Sequence, residues 1–500
     1  MQHKRAHPGW NAFPVLIFLA GLALRLVPVL ATRNMGIGLD DMFQYDMLGR
    51  SLAAGNGFRW YTPADLSSVA PYLHLDISAL ALDPRGMLTT FRAPLYPAFL
   101  ALIYMLFGSG AERFFAVRLT QSAIGGLLAP LTYVTAKRVL EAPDSQETAQ
   151  AGNEKAARLA AWAVALYPTL LILPLGLASE NLFFLLVLAS TLLLVELAIL
   201  GSTGGEQPRP AWRMGLYAAL AGVLLGLSAL TRSVIVPFVG AAVLWIAFAL
   251  RQRGAAVVTV AAVVITVLPW IVRNSIVAGR PTGIETSLGY NLYVGYHPQS
   301  TGTFTYGPSM DLLTILNDQV RDQVGTQRAL AFIEQDPTRF PYLAARRLGY
   351  FFNLDLRAFT YFYSNGFLGA IPLPFLLLIL AFLGAPFAVL GVCAAFGALS
   401  LRANPASSLL ALLFGTYLLP HVFILSEERF HLSMIPIMGI WAAVFWTTGL
   451  RGFQTRRLAL LAASFIVVLL LANWALELAR DGPVLAQLLG PNGNQLYLPY

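Results

Sequence analysis

Five hundred residues contain one cysteine, Cys393, set in an apolar run. No internal disulfide can form, and no metal site can be built on cysteine. Charge is scarce too. Asp, Glu, Lys and Arg make up 12% of the chain, about half the share in a soluble globular protein. A soluble enzyme is excluded, and so is any count of domains from length alone. The glycine-rich loop that cradles nucleotide phosphates is missing. The two halves show no internal repeat of the kind that many transporters carry.

What is present is apolar. Hydrophobic side chains make up 57% of the chain, and the mean hydropathy is +0.65. Apolar runs of spanning length lie at about 12–31, 114–138, 157–175, 181–200, 213–231, 234–250, 255–272, 367–392, 406–425, 433–450 and 457–477. The expectation is an all-α polytopic integral membrane protein, a single membrane domain over 1–500 with about eleven crossings. A further run, 94–107, is short for a crossing and reads as re-entrant or interfacial. The basic segment 1–7 precedes a long apolar run with no small-residue cleavage site after it, so that run is expected to stay as a helix.

Basic residues outnumber acidic ones by 33 to 25, but they fall in short segments between apolar runs. They read as topology determinants and not as a nucleic-acid surface. With Lys4 and Arg5 in the cytoplasm, the loops holding Lys137, Arg138, Lys155 and Arg158 also land inside. So do those holding Arg209 and Arg213, Arg251 and Arg253, Arg402, and Arg451, Arg456 and Arg457. Two long polar stretches, 32–92 and 273–366, then land outside, as does the tail 478–500. Counting 94–107 as a crossing would flip every later loop. The expected location is the cell (inner) membrane.

Both long stretches carry helical patterns. Met42, Tyr45, Leu48 and Leu52 recur at helical spacing opposite Gln44 and Arg50, and Gly55-Asn56-Gly57 ends the pattern. That spacing predicts a helix along the membrane surface, starting at Asp40-Asp41. The stretch 324–351 is also helical in pattern, with breaks expected at Pro337 and Pro341. Its Arg339, Arg346 and Arg347 are expected to face lipid headgroups.

Asp40 and Asp41 stand where the first run leaves the membrane. They read either as solvated acids, one of them capping a helix, or as a base tuned against a low-dielectric boundary. Other charges gather at the same face. Arg92 precedes Pro94-Leu95-Tyr96-Pro97, Glu180 and Arg232 lie in tight turns, Arg273 closes the seventh run, and Glu427-Glu428-Arg429 follows the ninth. Each alone reads as an interfacial side chain that snorkels to water. Their gathering on one leaflet favours function. Carboxylates take a hydroxyl proton and hold sugar hydroxyls or a divalent ion. Arginines hold a phosphate at two points and stabilise it as it leaves. Without a nucleotide loop, the phosphate donor at this face would be a lipid phosphate presented from the bilayer.

These residues resemble a family. Asp40-Asp41-Met42-Phe43-Gln44-Tyr45, with Leu52-Ala53-Ala54-Gly55-Asn56-Gly57-Phe58, resembles the first outer loop of GT-C glycosyltransferases. The branch is the bacterial group similar to protein O-mannosyltransferases and lipid A aminoarabinose transferases. Phe91-Arg92-Ala93-Pro94-Leu95-Tyr96-Pro97 resembles its Arg/Lys-x-Pro-x-Tyr-Pro element, and Ser179-Glu180 its second acidic site. Pro269-Trp270 through Asn274, with Gly289-Tyr290-Asn291-Leu292-Tyr293-Val294-Gly295, resembles the seam into its large outer loop. Glu428-Arg429-Phe430-His431, followed by Pro436, resembles its late Glu-Arg-Tyr/Phe motif. The similarity covers roughly 10–450.

The resemblance implies a GT-C fold with amphipathic juxtamembrane helices in both outer loops. It implies an inverting, single-displacement transfer from a polyprenyl-phosphate sugar donor to a hydroxyl on a protein, lipid or glycan acceptor. Asp41 matches the catalytic base, four residues before Tyr45, with Asp40 the neighbouring candidate. The family often has an acid directly after the base, where this chain has Met42. Arg92, Glu428 and Arg429 match residues near the donor phosphate or sugar, and Glu180 a residue near the sugar. Tyr45, Tyr96, Arg232, Arg273, Tyr290, Asn291, Glu427 and His431 complete the expected substrate contacts. No metal ligand is assigned. A divalent metal stays open as a cofactor, with His297 in the large loop as a candidate. The rival reading is a polytopic lipid or solute transporter without transfer chemistry.

Overall fold

The computed structural model describes residues 12–73, 82–141, 147–202 and 211–497. Lys4, Arg5 and Arg209 of the expected topology lie outside the described residues. Helix α1 (Phe13–Ala31) leads into α2 (Asp41–Ala53). Asp40 starts α2 by accepting the Met42 N–H at 2.8 Å. Met42, Tyr45 and Leu48 form its buried face, and Gly55 and Gly57, with φ of +74° and +81°, turn the chain away. Strand β1 (Arg59–Trp60), α3 (Pro63–Leu73) and strand β2 (Met87–Leu88) follow, the strands pairing antiparallel. Helix α4 (Leu95–Phe107) has 13 residues. At 1.5 Å per residue it measures about 20 Å, short of a ~30 Å hydrocarbon core.

Helices α5 (Arg113–Gly126) and α6 (Leu128–Leu140) form one apolar span. Helices α7 (Glu147–Ala165) and α8 (Pro168–Ile172) form a bent one, kinked by 52°. Pro168 supplies the break, since it has no N–H to continue the ladder. Then come α9 (Glu180–Ser202), α10 (Ala211–Thr231), α11 (Val236–Leu244) and α12 (Arg253–Ala278). The second polar stretch carries α13 (Leu288–Tyr296), α14 (Tyr306–Asp311), α15 (Asp318–Gln335), α16 (Arg339–Phe351) and α17 (Arg357–Ser364). The chain closes with α18 (Leu373–Ser400), α19 (Pro405–Phe423), α20 (Ile435–Thr448) and α21 (Arg457–Leu488).

Each expected apolar run holds a helix. Among the described residues nine helical segments are long and apolar enough to cross a membrane, or ten with the bent pair. The remaining run forms the shorter helix Ser233–Ala249, bounded by Arg232 and Arg251. The fold is that of a multi-pass, all-α membrane protein.

Two expectations need correction. Pro341 does not break a helix, because it is the third residue of α16, where its missing N–H has no intrahelical partner to lose. Only the break around Pro337 is present. Arg347 is fully buried and does not face headgroups. It donates to the carbonyls of Gly295 and Phe423 at 2.6 and 3.1 Å. Arg339 likewise spends its guanidinium on the carbonyls of His297 and Ser300.

The two polar stretches are bonded to each other at one end of the bundle. The Thr89 hydroxyl and the Thr90 N–H donate to Asp318 at 2.6 and 2.9 Å. The Thr286 N–H donates to the Thr90 carbonyl at 2.9 Å. Arg273 donates to the carbonyls of Thr89 and Phe58 at 2.5 and 3.1 Å.

Candidate active site

Asp41 is the first residue of α2, and 41% of its side chain is accessible. Arg92 reaches it from the turn before α4, and its guanidinium donates to Asp41 Oδ1. The same guanidinium donates twice to Gln44 Oε1, at 2.7 and 2.9 Å. Gln44 stands three residues after Asp41, on the same side of the helix. From the late turn before α20, Arg429 approaches Asp41 Oδ2 at 3.6 Å and is anchored on Glu427 at 2.7 Å. Burial pushes the Asp41 carboxyl up. The guanidiniums of Arg92, Arg429 and Arg232 outweigh that and hold it below its ordinary value of 3.8.

Asp40 has the opposite environment. Its Oδ1 caps α2, and its Oδ2 accepts the Tyr361 hydroxyl from α17 at 2.5 Å. A Cβ on Gly38 would collide with that hydroxyl, so glycine makes room for it. Burial raises the Asp40 carboxyl, and Tyr361 offsets only part of the rise. Two adjacent acids are thus driven apart, one toward the neutral form and one firmly ionised.

A second pair lies alongside. Glu180 opens α9 and pairs with Arg232 at 2.7 Å. Arg232 also donates to Ser179 Oγ at 3.2 Å, and the Tyr45 hydroxyl donates to the same Oγ at 3.2 Å. Tyr45 therefore links the two pairs, and its ring lies 5.3 Å from the Arg92 guanidinium. Burial pushes its phenol up, which keeps it a donor. The Phe430 ring lies 5.5 Å from Arg232 and 5.6 Å from Arg429. Tyr290 packs edge-on against Phe91 at 5.7 Å, with Asn291 half-buried beside it on α13.

The other expected contacts face elsewhere. Tyr96 packs against Tyr45 at 4.9 Å, but its hydroxyl donates to Gln121. Arg273 is taken up by backbone carbonyls and by the Trp270 ring at 4.8 Å. Glu428 is buried and accepts the Arg357 N–H. His431 is fully buried, 2.8 Å from Asp355, 2.7 Å from the Phe351 carbonyl, and stacked on Phe387 at 3.9 Å. Asp355 also accepts the hydroxyls of Tyr167 and Thr169. The turn Glu428–Met434 is a 3₁₀ helix. With three residues per turn, Glu428 and His431 share one face and Arg429 takes another.

Three further residues lie close to the two pairs, of which the sequence singles out only Ser179, beside Glu180. Ser179 joins them, Tyr361 orders Asp40, and Glu285 accepts from Ser233 and lies within electrostatic reach of Arg92. Among the described residues no group of three His, Cys, Asp or Glu is placed to hold a metal. The surroundings of the acids do not fit a divalent cation. Two guanidiniums already face Asp41 and would repel one, and both Asp40 oxygens accept hydrogen bonds. His297 accepts the Gln299 N–H and packs between the rings of Tyr293 and Phe332.

No family model matches the chain, and no curated protein matches it. Solved structures do match. The Archaeoglobus fulgidus oligosaccharyltransferase in its apo form covers 96% of this chain at 16% identity and a TM-score of 0.50, over 58% of its own length. The same enzyme, tethered to an acceptor peptide containing the NVT sequon, covers 98% at 16% identity and a TM-score of 0.50, over 56% of its own length. ArnT from Cupriavidus metallidurans, bound to undecaprenyl phosphate, is a looser likeness: 96% and 82% covered, 14% identity, TM-score 0.40. The chain spans a little over half the length of the oligosaccharyltransferase it matches. The likeness is one of fold, and the fold is the GT-C fold.

Proposed function

We propose that this protein is a membrane glycosyltransferase. It moves a sugar from a polyprenyl-phosphate donor to an acceptor hydroxyl at the outer face of the cell membrane, by a single inverting displacement. The observation that carries this reading is the Asp41 carboxylate, accessible yet faced by Arg92 and Arg429, with the Glu180–Arg232 pair alongside.

The acceptor hydroxyl loses its proton to Asp41 as its oxygen attacks the anomeric carbon. The bond from that carbon to the phosphate oxygen breaks on the opposite face, and its electron pair leaves with the phosphate. Arg92 and Arg429 stabilise the charge that builds there. Before the donor arrives, these guanidiniums hold Asp41 low, which makes it a weak base. A donor phosphate competes for them, so Asp41 gains basicity when the acceptor needs it. Glu180, Arg232 and Ser179 hold sugar hydroxyls. The apolar face of α4, with Leu102, Met105, Leu106 and Phe107 exposed, suits a lipid-borne donor. The distribution of Lys and Arg supports the outer face. The fold shared with an oligosaccharyltransferase captured with an acceptor peptide supports transfer to an acceptor over passage of a solute.

The test is purified protein in lipid nanodiscs with radiolabelled polyprenyl-phosphate sugar and acceptor extracts. Label is expected to move to an acceptor with the parent protein and not with Asp41→Asn, which still binds donor. Transfer retained in that variant removes Asp41 as base. Lipid movement across vesicles without transfer points to a carrier instead.

A further inference from the structure

Arg118 and Gln121 lie one turn apart on α5 and are both fully buried. Among the described residues no carboxylate pairs with Arg118. Its Nε donates to the Leu175 carbonyl at 2.9 Å, and its two terminal nitrogens donate to the carbonyls of Met35 and Gly36 at 2.5 and 2.7 Å. Gln121 donates to the carbonyls of Pro174 and Gly176, both at 3.0 Å, and accepts the Tyr96 hydroxyl at 2.5 Å. A planar guanidinium and a primary amide thus tie down five backbone carbonyls and one phenol.

Those ties fall on three segments with one thing in common. Residues 35–36 run straight into Asp40 and Asp41. Residues 174–176 run straight into Ser179 and Glu180. Tyr96 stands four residues after Arg92, in the first turn of α4. Holding a guanidinium inside a membrane span is costly unless the surrounding structure needs it. Here each of its bonds goes to the backbone just ahead of a site residue.

We infer that Arg118 and Gln121 are positioning residues, a bracket within α5 that sets the spacing between the Asp41–Arg92 pair and the Glu180–Arg232 pair. Neither touches a substrate. Their effect runs through the backbone, so removing one leaves every site side chain in place on a segment free to drift. A displacement of about 1 Å at a reacting centre costs up to ~100-fold in rate. The inference rests on the transferase reading for its kinetic consequence, but its structural half stands without it.

The experiment uses the full chain in nanodiscs, with Arg118→Met, Arg118→Lys and Gln121→Leu. In a Cys393→Ala background, spin labels on Asn34→Cys and Gly176→Cys report the distance between the two bracketed segments. The parent is expected to give one narrow distance, and Arg118→Met and Gln121→Leu broader ones. With labelled donor, kcat is expected to fall about 10- to 100-fold while the donor KM stays within about threefold. Arg118→Lys, which keeps a charged donor, recovers part of the loss. A distance that stays narrow in both Arg118→Met and Gln121→Leu overturns the bracket. So does a kcat loss matched by an equal loss of folded protein. If Asp41→Asn keeps transfer, the transferase mechanism fails while the distance result still decides the bracket. Gln121→Leu carries the test if Arg118→Met does not fold.

Discussion

Asp41 and Asp46 sit five residues apart on α2, and each meets two arginines, yet their surroundings differ in kind. Asp46 is 1% exposed. Arg113 grips both its oxygens at 2.8 and 3.0 Å, Arg50 adds a bond at 2.9 Å, and the Tyr104 hydroxyl another at 2.9 Å. Every acceptor position is filled and nothing can enter. Asp41 is accessible, bonded to Arg92 on one oxygen and only loosely approached by Arg429 on the other. The same residue types make a closed rivet in one place and an accessible cluster in the other. Accessibility separates the two: 41% of the Asp41 side chain is open, against 1% of Asp46.

The comparison breaks most sharply at the two aspartates themselves. Asp41→Asn is expected to cut transfer by about 10²- to 10⁴-fold, the range for losing a general base. The unfolding temperature of the variant should stay close to that of the parent. Asp46→Asn should do the reverse. Uncoupling a buried carboxylate from its guanidiniums costs about 3–5 kcal/mol, read as a lower midpoint in thermal unfolding of the detergent-solubilised protein.

Arg429→Gln sharpens the contrast through pH. Asp41 is held below its ordinary value, so the acid limb of kcat/KM, which reports the free enzyme, should lie at low pH. Removing one guanidinium raises Asp41, and the limb should move to higher pH with about tenfold loss of activity at neutral pH. A limb that does not move means that Arg429 leaves Asp41 unaffected. Smallest is Asp40→Asn. Asn caps a helix about as well as Asp, and its amide nitrogen can donate to the Tyr361 oxygen in place of the bond that is lost, so stability should change by less than about 1 kcal/mol. The raised Asp40 carboxyl is also a mild liability at neutral pH that the amide relieves. Transfer reduced as far as in Asp41→Asn would place Asp40 in the chemistry.

Much of this architecture was legible in the chain. Runs of apolar residues gave the helices, and the spacing of Met42, Tyr45 and Leu48 gave α2 with its buried face. Arg92, Glu180, Arg232 and Arg429 read as interfacial charges, and the structure groups them around Asp41. Other parts had no local signal. Tyr361 meets Asp40 across 321 positions of sequence. Arg118 and Gln121 look like polar interruptions of an apolar run until their carbonyl partners are known. Glu428 and His431 read as site residues because they share with Arg429 the stretch that resembles the late Glu-Arg-Tyr/Phe motif. The tighter 3₁₀ winding, which sequence periodicity did not reveal, turns them inward. Arg273 has a charge suited to an anion, but the backbone claims it first.

The bonds of Thr89 and Thr90 with Asp318 and Thr286, and those of Arg273 with the Thr89 and Phe58 carbonyls, clasp the two polar stretches into one roof. A roof fastened along that seam cannot lift one flap at a time. On the transferase reading, a lipid-borne donor would come in sideways, along the lipid, past the short helix α4. On that reading the plane of the bilayer delivers the donor, and the aqueous side need admit only the partner that receives the sugar.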